Sequence, residues 1–316
     1  MPNAVDAGLH DEVAVDSYQP AESFSSVTVL PSGASARVTE PLPTVNEVPL
    51  GAGHAAWISF GSPFKSSPNE DAFSTIPLSK EQGLLLVADG LGGHRDGRRA
   101  SQLIRSLLTK ASRTFVAPAK PMLISNLVPV PLKERKETFD LRSVVLNEIE
   151  RANQRLLRSR SGSATTLALV EINGRRVRTY HIGDSEILVV SQRGRLKFSS
   201  VSHSPIGYAL ESGMLTEEQA LFHPDRHLVS NVIGSEQMSV ELGPWITLSP
   251  RDTVLLASDG LFDNLMQYEI IDCIRKGKLA DGVTELAARA RQRMLHPDME
   301  FPSKPDDLTI LAYRPG

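Results

Sequence analysis

Short apolar runs recur along the chain from about residue 51 onward, separated by turns rich in Gly, Asn and Asp. Runs of this length that are rich in β-branched residues are typical of β-strands. The clearest are Ala55–Phe60, Leu84–Ala88, Thr165–Ile172, Arg176–Ile182, Glu186–Ser191 and Thr253–Ser258. Asn173-Gly174 and Arg193-Gly194 lie at the ends of such runs, where hairpin turns require positive φ angles. The pattern therefore predicts antiparallel strands connected as a meander.

Longer segments with an apolar residue every three or four positions predict helices. They are Gly97–Ser112, Asp140–Arg158, Tyr268–Arg275 and Asp281–Met294. Asp281 is suited to cap the N-terminus of the last helix. The Pro-rich segment 117–131, between the first two helices, is predicted to be a long loop. The two pairs of helices can each cover one sheet.

Composition limits the class of protein. The chain has 316 residues, of which 41% are hydrophobic, enough for one large domain or two small ones. The single cysteine, Cys273, excludes an intrachain disulfide and a thiolate zinc site. A formal net charge of -3 provides no overall basic field for nucleic acid, so no nucleic-acid partner is expected.

No apolar run approaches the roughly 20 residues that a transmembrane helix needs. The N-terminus begins with acidic residues instead of the basic region of a signal peptide. We therefore expect a soluble, cytoplasmic protein with no membrane contact.

The first 50 residues differ in charge from the rest of the chain. They contain seven acidic residues and one basic residue, Arg37, so this segment is strongly acidic while the remainder is slightly basic. Few aromatic residues and no sustained period occur here, which predicts a disordered extension over residues 1–50. A sharper hypothesis is that this extension docks on the basic body and obstructs its site. A folded domain is then predicted for residues 51–316.

Acidic residues recur where the predicted strands end. Asp89-Gly90 follows the run 84–88, Asp259-Gly260 follows the run 253–258, and Asp306-Asp307 precedes the last strand-like run. A lone Asp-Gly pair is a common turn signal. Several carboxylates gathered at strand ends, however, repel one another unless divalent cations neutralise them. Hard cations such as Mg²⁺ and Mn²⁺ prefer oxygen ligands, so the pattern predicts a metal site.

Six motifs, taken in order, resemble the metal-dependent type 2C (PPM) serine/threonine protein phosphatases, with the bacterial branch the closer match. They are Asn69-Glu70-Asp71, 87–94, 163–167, 181–185, 256–263 and 306–309. His223-Pro224-Asp225-Arg226 is similar to the segment that follows the mobile flap of that family, which would cover about residues 203–230 here. The resemblance extends over roughly residues 52–314. This many coincident motifs make chance agreement improbable.

The resemblance implies an α+β fold, a four-layer αββα sandwich of two antiparallel β-sheets flanked by pairs of helices. It also implies a centre for two Mg²⁺ or Mn²⁺ ions, with a third ion in some members. The implied metal ligands, including those of the outer shell and of the third ion, are Asp89, Gly90, Asp259, Asp306, Asp71 and Asp184. Glu70 would act with Asp89 and Asp259 in catalysis by holding water, and Asp263 would assist Asp184 and Asp259 at the third ion.

The activity implied by the resemblance is hydrolysis of phosphoserine and phosphothreonine in proteins. Two cations lower the pKa of a shared water and stabilise both the attacking and the leaving oxygen of an in-line displacement. Phosphorylated proteins and a cognate serine/threonine kinase are the expected partners, and the protein is expected to be a monomer.

Three positions depart from the family pattern. Ser66 stands where the family has a phosphate-binding arginine, which leaves Lys65 as the candidate substrate-binding cation, without the two-pronged geometry of arginine. Asp307 replaces an asparagine, and Glu186 replaces an arginine. These changes motivate an alternative, a pseudophosphatase that acts as a phosphoprotein-binding regulatory module. Retention of the implied ligands favours the enzyme.

Overall fold

Two antiparallel sheets packed face to face form the middle of the fold. The structure is a computed structural model that describes residues 40–91, 95–116, 140–298 and 300–316. Its strands are β1 (Asn46–Leu50), β2 (Gly53–Phe60), β3 (Ala72–Pro77), β4 (Gln82–Ala88), β5 (Gly90–Leu91), β6 (Ala164–Thr165), β7 (Leu167–Asn173), β8 (Arg176–Ile182), β9 (Glu186–Val190), β10 (Leu196–Ser199), β11 (Glu241–Leu242), β12 (Ile246–Thr247), β13 (Thr253–Ala257) and β14 (Leu308–Pro315). Its helices are α1 (Arg95–Val116), α2 (Leu141–Ser159), α3 (Pro205–Glu211), α4 (Glu217–Leu221), α5 (Asp259–Phe262), α6 (Gln267–Ile274) and α7 (Leu279–Leu295).

The first sheet has the strand order β1-β2-β14-β13-β9-β10, and the second has the order β11-β8-β7-β4-β3, with β12 also pairing with β8. The strand pairs of both sheets are antiparallel. A separate ribbon joins β5 to β6. The predicted antiparallel pairing is therefore confirmed. The predicted meander is interrupted between β8 and β9, because the chain crosses there from the second sheet to the first.

The central strands are buried on both faces. In β4, Leu85 and Val87 pack in the core between the sheets, whereas Leu84 and Leu86 pack against α1 and α2. Successive side chains of a strand point to opposite faces, so a strand covered on both sides needs an unbroken apolar run. This double burial explains the short continuous runs of the sequence.

The helices cover the outer faces of the sandwich. The helices α6 and α7 pack on the first sheet, and α1 and α2 pack on the second. The layers therefore run helix, sheet, sheet, helix, and the predicted four-layer α+β sandwich is confirmed.

Helix ends agree with the sequence at one position and differ at another. Asp140 caps α2, since its side chain accepts a hydrogen bond from the backbone N–H of Arg142. The prediction that Asp281 caps the last helix was wrong, because α7 begins at Leu279 and Asp281 lies in its first turn. Leu279 is buried and extends the apolar face of the helix toward the N-terminus.

Several predictions fall partly or wholly outside the described residues. The segment 117–131 lies outside them, as do residues 1–39 of the predicted extension. Residues 46–50, which were assigned to that extension, form the edge strand β1 and pair with β2. The described fold therefore begins before residue 51.

The segment between β10 and β11 contains α3, α4 and a single 3₁₀ turn at Pro224–His227. This is the region that the sequence predicts to be a flap over about residues 203–230. Within the described residues, no helix is both long enough and apolar enough to span a membrane.

Candidate metal centre

The candidate acidic residues lie where strands of the two sheets end. Asp89 directly follows β4 of the second sheet, and Asp259 begins α5 just after β13 of the first. Asp306 lies just before β14, Asp71 just before β3, and Asp184 in the turn between β8 and β9. The sandwich thus brings residues that are distant in sequence to one end of the two sheets.

The carboxylates are close enough to influence one another electrostatically. Burial raises the pKa of Asp89 well above its ordinary value, and the charges of Asp71, Asp259, Asp306 and Asp184 raise it further. All four neighbours belong to the set that the sequence singles out. The structure therefore brings the predicted ligands Asp89, Asp259, Asp306, Asp71 and Asp184 together.

The pKa values of three further carboxyl groups are raised in the same way. Burial raises the pKa of Asp71 to about 8 and that of Asp184 to about 8. Burial likewise raises the pKa of Asp306 to about 7, with the charge of Asp259 as the next cause. A group of acids that resists ionisation in this way gains most from a cation that neutralises it.

Asp71 is oriented by the residue that precedes Asp259. The Ser258 hydroxyl donates to Asp71 Oδ2 at 2.8 Å, and the backbone N–H of Thr309 donates to the Ser258 oxygen at 3.0 Å. One hydroxyl thus links the start of β3 to the end of β13 and the start of β14. The second carboxylate oxygen of Asp71 is left for another partner.

Asp307 is held by the protein itself. Its Oδ1 accepts the backbone N–H of Ser62 at 2.8 Å, and its Oδ2 accepts the backbone N–H of Glu70 at 2.8 Å. Lys65 Nζ also donates to Oδ2 at 3.2 Å. The side chain is almost fully buried, so this departure from the family pattern fixes the loop between β2 and β3 to the start of β14.

The candidate substrate-binding residue, Lys65, lies beside this loop. Its ammonium contacts Glu70 Oε2 as well as Asp307. The Lys65 side chain is 24% exposed, so it reaches the surface of the centre. Its positive charge is shared between two carboxylates of the chain, and its role toward phosphate stays a prediction.

Gly90 and Gly97 make a close backbone approach next to Glu70. A Cβ atom on Gly90 would lie 2.2 Å from the carbonyl oxygen of Gly97, and one on Gly97 would lie 2.7 Å from Glu70 Oε1. Only glycine allows β5 and the first turn of α1 to come this close. The sequence analysis indicated Gly90 as a residue of the site, whereas it identified Gly97 only as the first residue of a predicted helix. Gly92, Gly93 and His94 lie outside the described residues.

The donor set fits divalent cations. Within the described residues, Glu70 Oε1, Asp71 Oδ1 and Asp259 Oδ1 are buried and have no hydrogen-bond partner. A buried carboxylate oxygen without a partner is costly, and a bound cation removes that cost. All the donors are oxygen atoms, which suits Mg²⁺ or Mn²⁺.

Sequence reasoning missed Lys304. Its Nζ donates to Asp259 Oδ2 at 2.5 Å and to Asp263 Oδ2 at 2.6 Å, and it lies 3.8 Å from Asp306 Oδ2. Burial alone would lower the pKa of Lys304, but the charges of Asp259 and Asp263 raise it above its ordinary value. The ammonium therefore stays charged among the acids.

A separate cluster of His181, His203 and Glu241 lies at the base of the flap. His203 Nε2 is 3.0 Å from Glu241 Oε2, and His181 Nδ1 is 3.6 Å from the same oxygen. The backbone N–H of Gly183 and the amide of Asn231 both donate to His203 Nδ1. The neutral His203 ring must then carry its proton on Nε2, and no lone pair remains there for a metal. The cluster instead connects the flap to the second sheet.

A cavity of about 420 Å³ lies between the flap and the acids. Its walls include Asp184 and Glu186 on one side and Ile206 and Leu210 of α3 on the other. Burial is the main cause that raises the pKa of Glu186 to about 8, and the negative charge of Asp184 is the next cause. The cavity gives the centre a solvent-accessible approach on the flap side.

The fold and the acidic centre together define a metal-dependent protein phosphatase. Residues 64–299 match the family described as protein phosphatase 2C, and the chain belongs to that family. The resemblance seen in the sequence motifs is confirmed.

The chain is similar to several bacterial phosphatases. It is 27% identical over 208 residues to the serine/threonine phosphatase stp of Listeria welshimeri, an alignment that covers 66% of this chain and 77% of that protein. The structure is similar to that of the serine/threonine phosphatase Stp1 from Staphylococcus aureus, with a TM-score of 0.65, 25% identity, and coverage of 84% of this chain and 97% of that one. It also resembles the catalytic domain of the serine/threonine protein phosphatase PstP in complex with two manganese ions, with a TM-score of 0.62, 21% identity, and coverage of 86% and 99%.

Proposed function

We propose that this chain hydrolyses phosphoserine and phosphothreonine residues of proteins with the help of Mg²⁺ or Mn²⁺. The observation that carries the proposal is the convergence of Asp71, Asp89, Asp259 and Asp306, with unpartnered buried oxygens on Asp71 and Asp259. The manganese ions of the PstP complex support the choice of metal.

Asp89, Asp259 and Asp306, with the backbone carbonyl of Gly90, would hold the two ions. When bound, such ions lower the pKa of a water molecule and neutralise the charge that develops on the phosphoryl oxygens. Asp71, fixed by the Ser258 hydroxyl, and Glu70, whose second oxygen contacts Lys65, would orient water around the pair. The protein thus supplies position and charge, and water supplies the nucleophile.

Lys65 is proposed to bind the phosphate of the substrate as a point charge. It is partly exposed at the surface of the centre, which supports this role. Binding would require its ammonium to turn from Glu70 or Asp307 toward the phosphate. No general acid is assigned.

Phosphorylated proteins are the proposed partners, and the serine/threonine phosphatase names of the relatives support this class. A cognate serine/threonine kinase would supply the substrate. A monomeric state and a cytoplasmic location stay predictions.

One observation favours the alternative of a pseudophosphatase that binds phosphoproteins without turnover. The ammonium of Lys304 already donates hydrogen bonds to Asp259 and Asp263 and partly neutralises their negative charge. However, Asp259 Oδ1 remains buried without a partner, which leaves one oxygen of that ligand for a divalent ion. The enzyme is therefore the better supported function.

The test is hydrolysis of a phosphothreonine peptide with Mn²⁺, with and without a chelator. We expect turnover that the chelator abolishes. Asp89→Ala should lower turnover by more than about 100-fold, because even the outer partners of metal ligands cost roughly 10–100-fold. Asp272→Asn, at an exposed aspartate paired with Arg275, is the matched control and should keep its activity. Peptide binding without turnover in the parent chain would favour the pseudophosphatase.

A further inference from the structure

Lys304 is held in place by its backbone. The side-chain amide of Asn264 accepts the N–H of Lys304 at 2.8 Å and donates to its carbonyl oxygen at 2.8 Å. The same amide donates to the carbonyl of Gly260 at 2.9 Å, and Asn264 is fully buried. The lysine is therefore fixed to the turn that begins with Asp259.

The preceding residue is anchored as well. Arg226 Nη2 donates to the carbonyl of Ser303 at 2.8 Å, and the Ser303 hydroxyl donates to the carbonyl of Arg293 at 2.8 Å. The flap and α7 thus both hold the segment that carries Lys304. A lysine mounted in this way lies at a defined position and does not sample the surface freely.

The ammonium lies among the acids implied for a third ion, which are Asp184, Asp259 and Asp263 and are called here the third-ion acids. It donates directly to Asp259 and Asp263. The carboxylate of Asp184 is also within electrostatic reach of Lys304. The ammonium therefore neutralises the same charges that a third divalent ion would neutralise.

The two carboxylate oxygens of Asp259 differ in their partners, so one can bind the lysine ammonium and the other a divalent ion. Its Oδ2 is bound by Lys304, whereas its Oδ1 is buried and has no partner among the described residues. One oxygen is thus committed to the lysine while the other stays available to the metal pair. A further divalent ion at Asp259 and Asp263 would have to displace Lys304 or lie against its positive charge.

We propose that the ammonium of Lys304 replaces the third divalent ion, so that this chain binds two ions and supplies the third positive charge itself. The inference rests on the proposed metal-dependent function. It assigns Lys304 the role of a positioning residue for Asp259 and Asp263.

The experiment counts bound Mn²⁺ per chain by equilibrium dialysis and mass spectrometry of the metal. The parent chain should bind two ions, and Lys304→Met should bind three. Lys304→Met combined with Asp184→Asn should return to two, because the gained ion needs the third-ion acids. Lys304→Arg, which keeps the charge, should bind two.

Lys197→Met is the matched control. Lys197 also pairs with a buried aspartate, Asp252, but this pair lies at the opposite end of β13 from Asp259. Its loss should leave the count at two. Thermal unfolding in Mn²⁺ verifies that every variant is folded. Lys304→Arg keeps the positive charge, so the number of Mn²⁺ ions bound by this variant and by the parent chain tests the proposal without removing that charge.

Different results separate the two proposals. Three ions in the parent chain, no gained ion in folded Lys304→Met, or a gained ion that survives Asp184→Asn would each overturn the role of Lys304 alone. A parent chain that binds no Mn²⁺ would overturn the metal-dependent function and this inference with it.

Discussion

Asp307 shows how a single changed residue can have a structural role beside the candidate metal centre. The sequence presents it as an added negative charge beside Asp306, next to the presumed ligands. In the structure both of its oxygens accept backbone N–H groups, those of Ser62 and Glu70, and Lys65 balances its charge. The extra carboxylate therefore stabilises the loop that carries Glu70.

This arrangement predicts the effect of removing the carboxylate. Asp307→Ala leaves two buried N–H groups without an acceptor, and each such group costs about 1–3 kcal/mol. We expect the free energy of unfolding in Mn²⁺ to fall by about 3 kcal/mol in chemical denaturation. Asp307→Asn, which keeps one acceptor oxygen, should lose less. Equal stability of Asp307→Ala and the parent chain would contradict this account.

Among single residues, the convergence of the candidate ligands was predictable from the sequence and the position of Lys304 was not. Asp89 and Asp259 follow buried apolar strands, so their convergence follows from the order of the strands. Lys304 reaches Asp259 only because Asn264, 40 positions away, binds its backbone. Nothing in the local pattern of the sequence indicates such a contact.

At the level of elements, the sequence pattern predicted the strands that are buried on both faces but did not predict the edge strands β1 and β10. The runs that became β4, β7 and β13 are mostly apolar because both faces are covered. In contrast β1 and β10 lie at the edges of the first sheet and mix polar with apolar residues. An edge strand covered on one face gives a weaker signal in the sequence.

The helix α1 positions the centre through its first turn, and this predicts a role for Gly97. In Gly97→Ala the new Cβ would lie 2.5 Å from the carbonyl oxygen of Gly90 and 2.7 Å from Glu70 Oε1. The carbonyl proposed as a ligand must then move. We expect the Kd for Mn²⁺, measured by titration calorimetry, to rise about 10-fold or more, as for other supporting residues of metal sites.

A control separates this effect from general destabilisation. Gly174 has a φ of +59° and lies in the turn between β7 and β8, at the opposite end of β8 from Asp184. An added Cβ there would meet no atom within 4 Å, so Gly174→Ala strains the backbone away from the acids. It should lower stability and leave the Kd for Mn²⁺ unchanged. An unaltered Kd in Gly97→Ala would show that the close approach to Gly90 is not needed for the centre.

At the scale of the whole molecule, the acids connect the two sheets and make stability depend on pH. Burial raises the pKa of Asp71 to about 8 and that of Asp306 to about 7. In the unfolded chain both would titrate near about 4. Between these values the folded, metal-free protein binds more protons than the unfolded chain, so its stability must fall as the pH rises through this window.

Divalent ions should reverse this trend, because they bind the ionised carboxylates and release protons. In chelator, we expect the thermal unfolding midpoint to fall from about pH 6 to about pH 8, and in excess Mn²⁺ we expect no fall. A ligand at about 100 times its Kd adds about 2.7 kcal/mol per site, so the difference should be largest near about pH 8. Asp71→Asn, neutral at every pH, should flatten the curve in chelator, whereas Asp272→Asn should not. Identical curves with and without Mn²⁺ would mean that the carboxylates that converge from both sheets do not bind the metal.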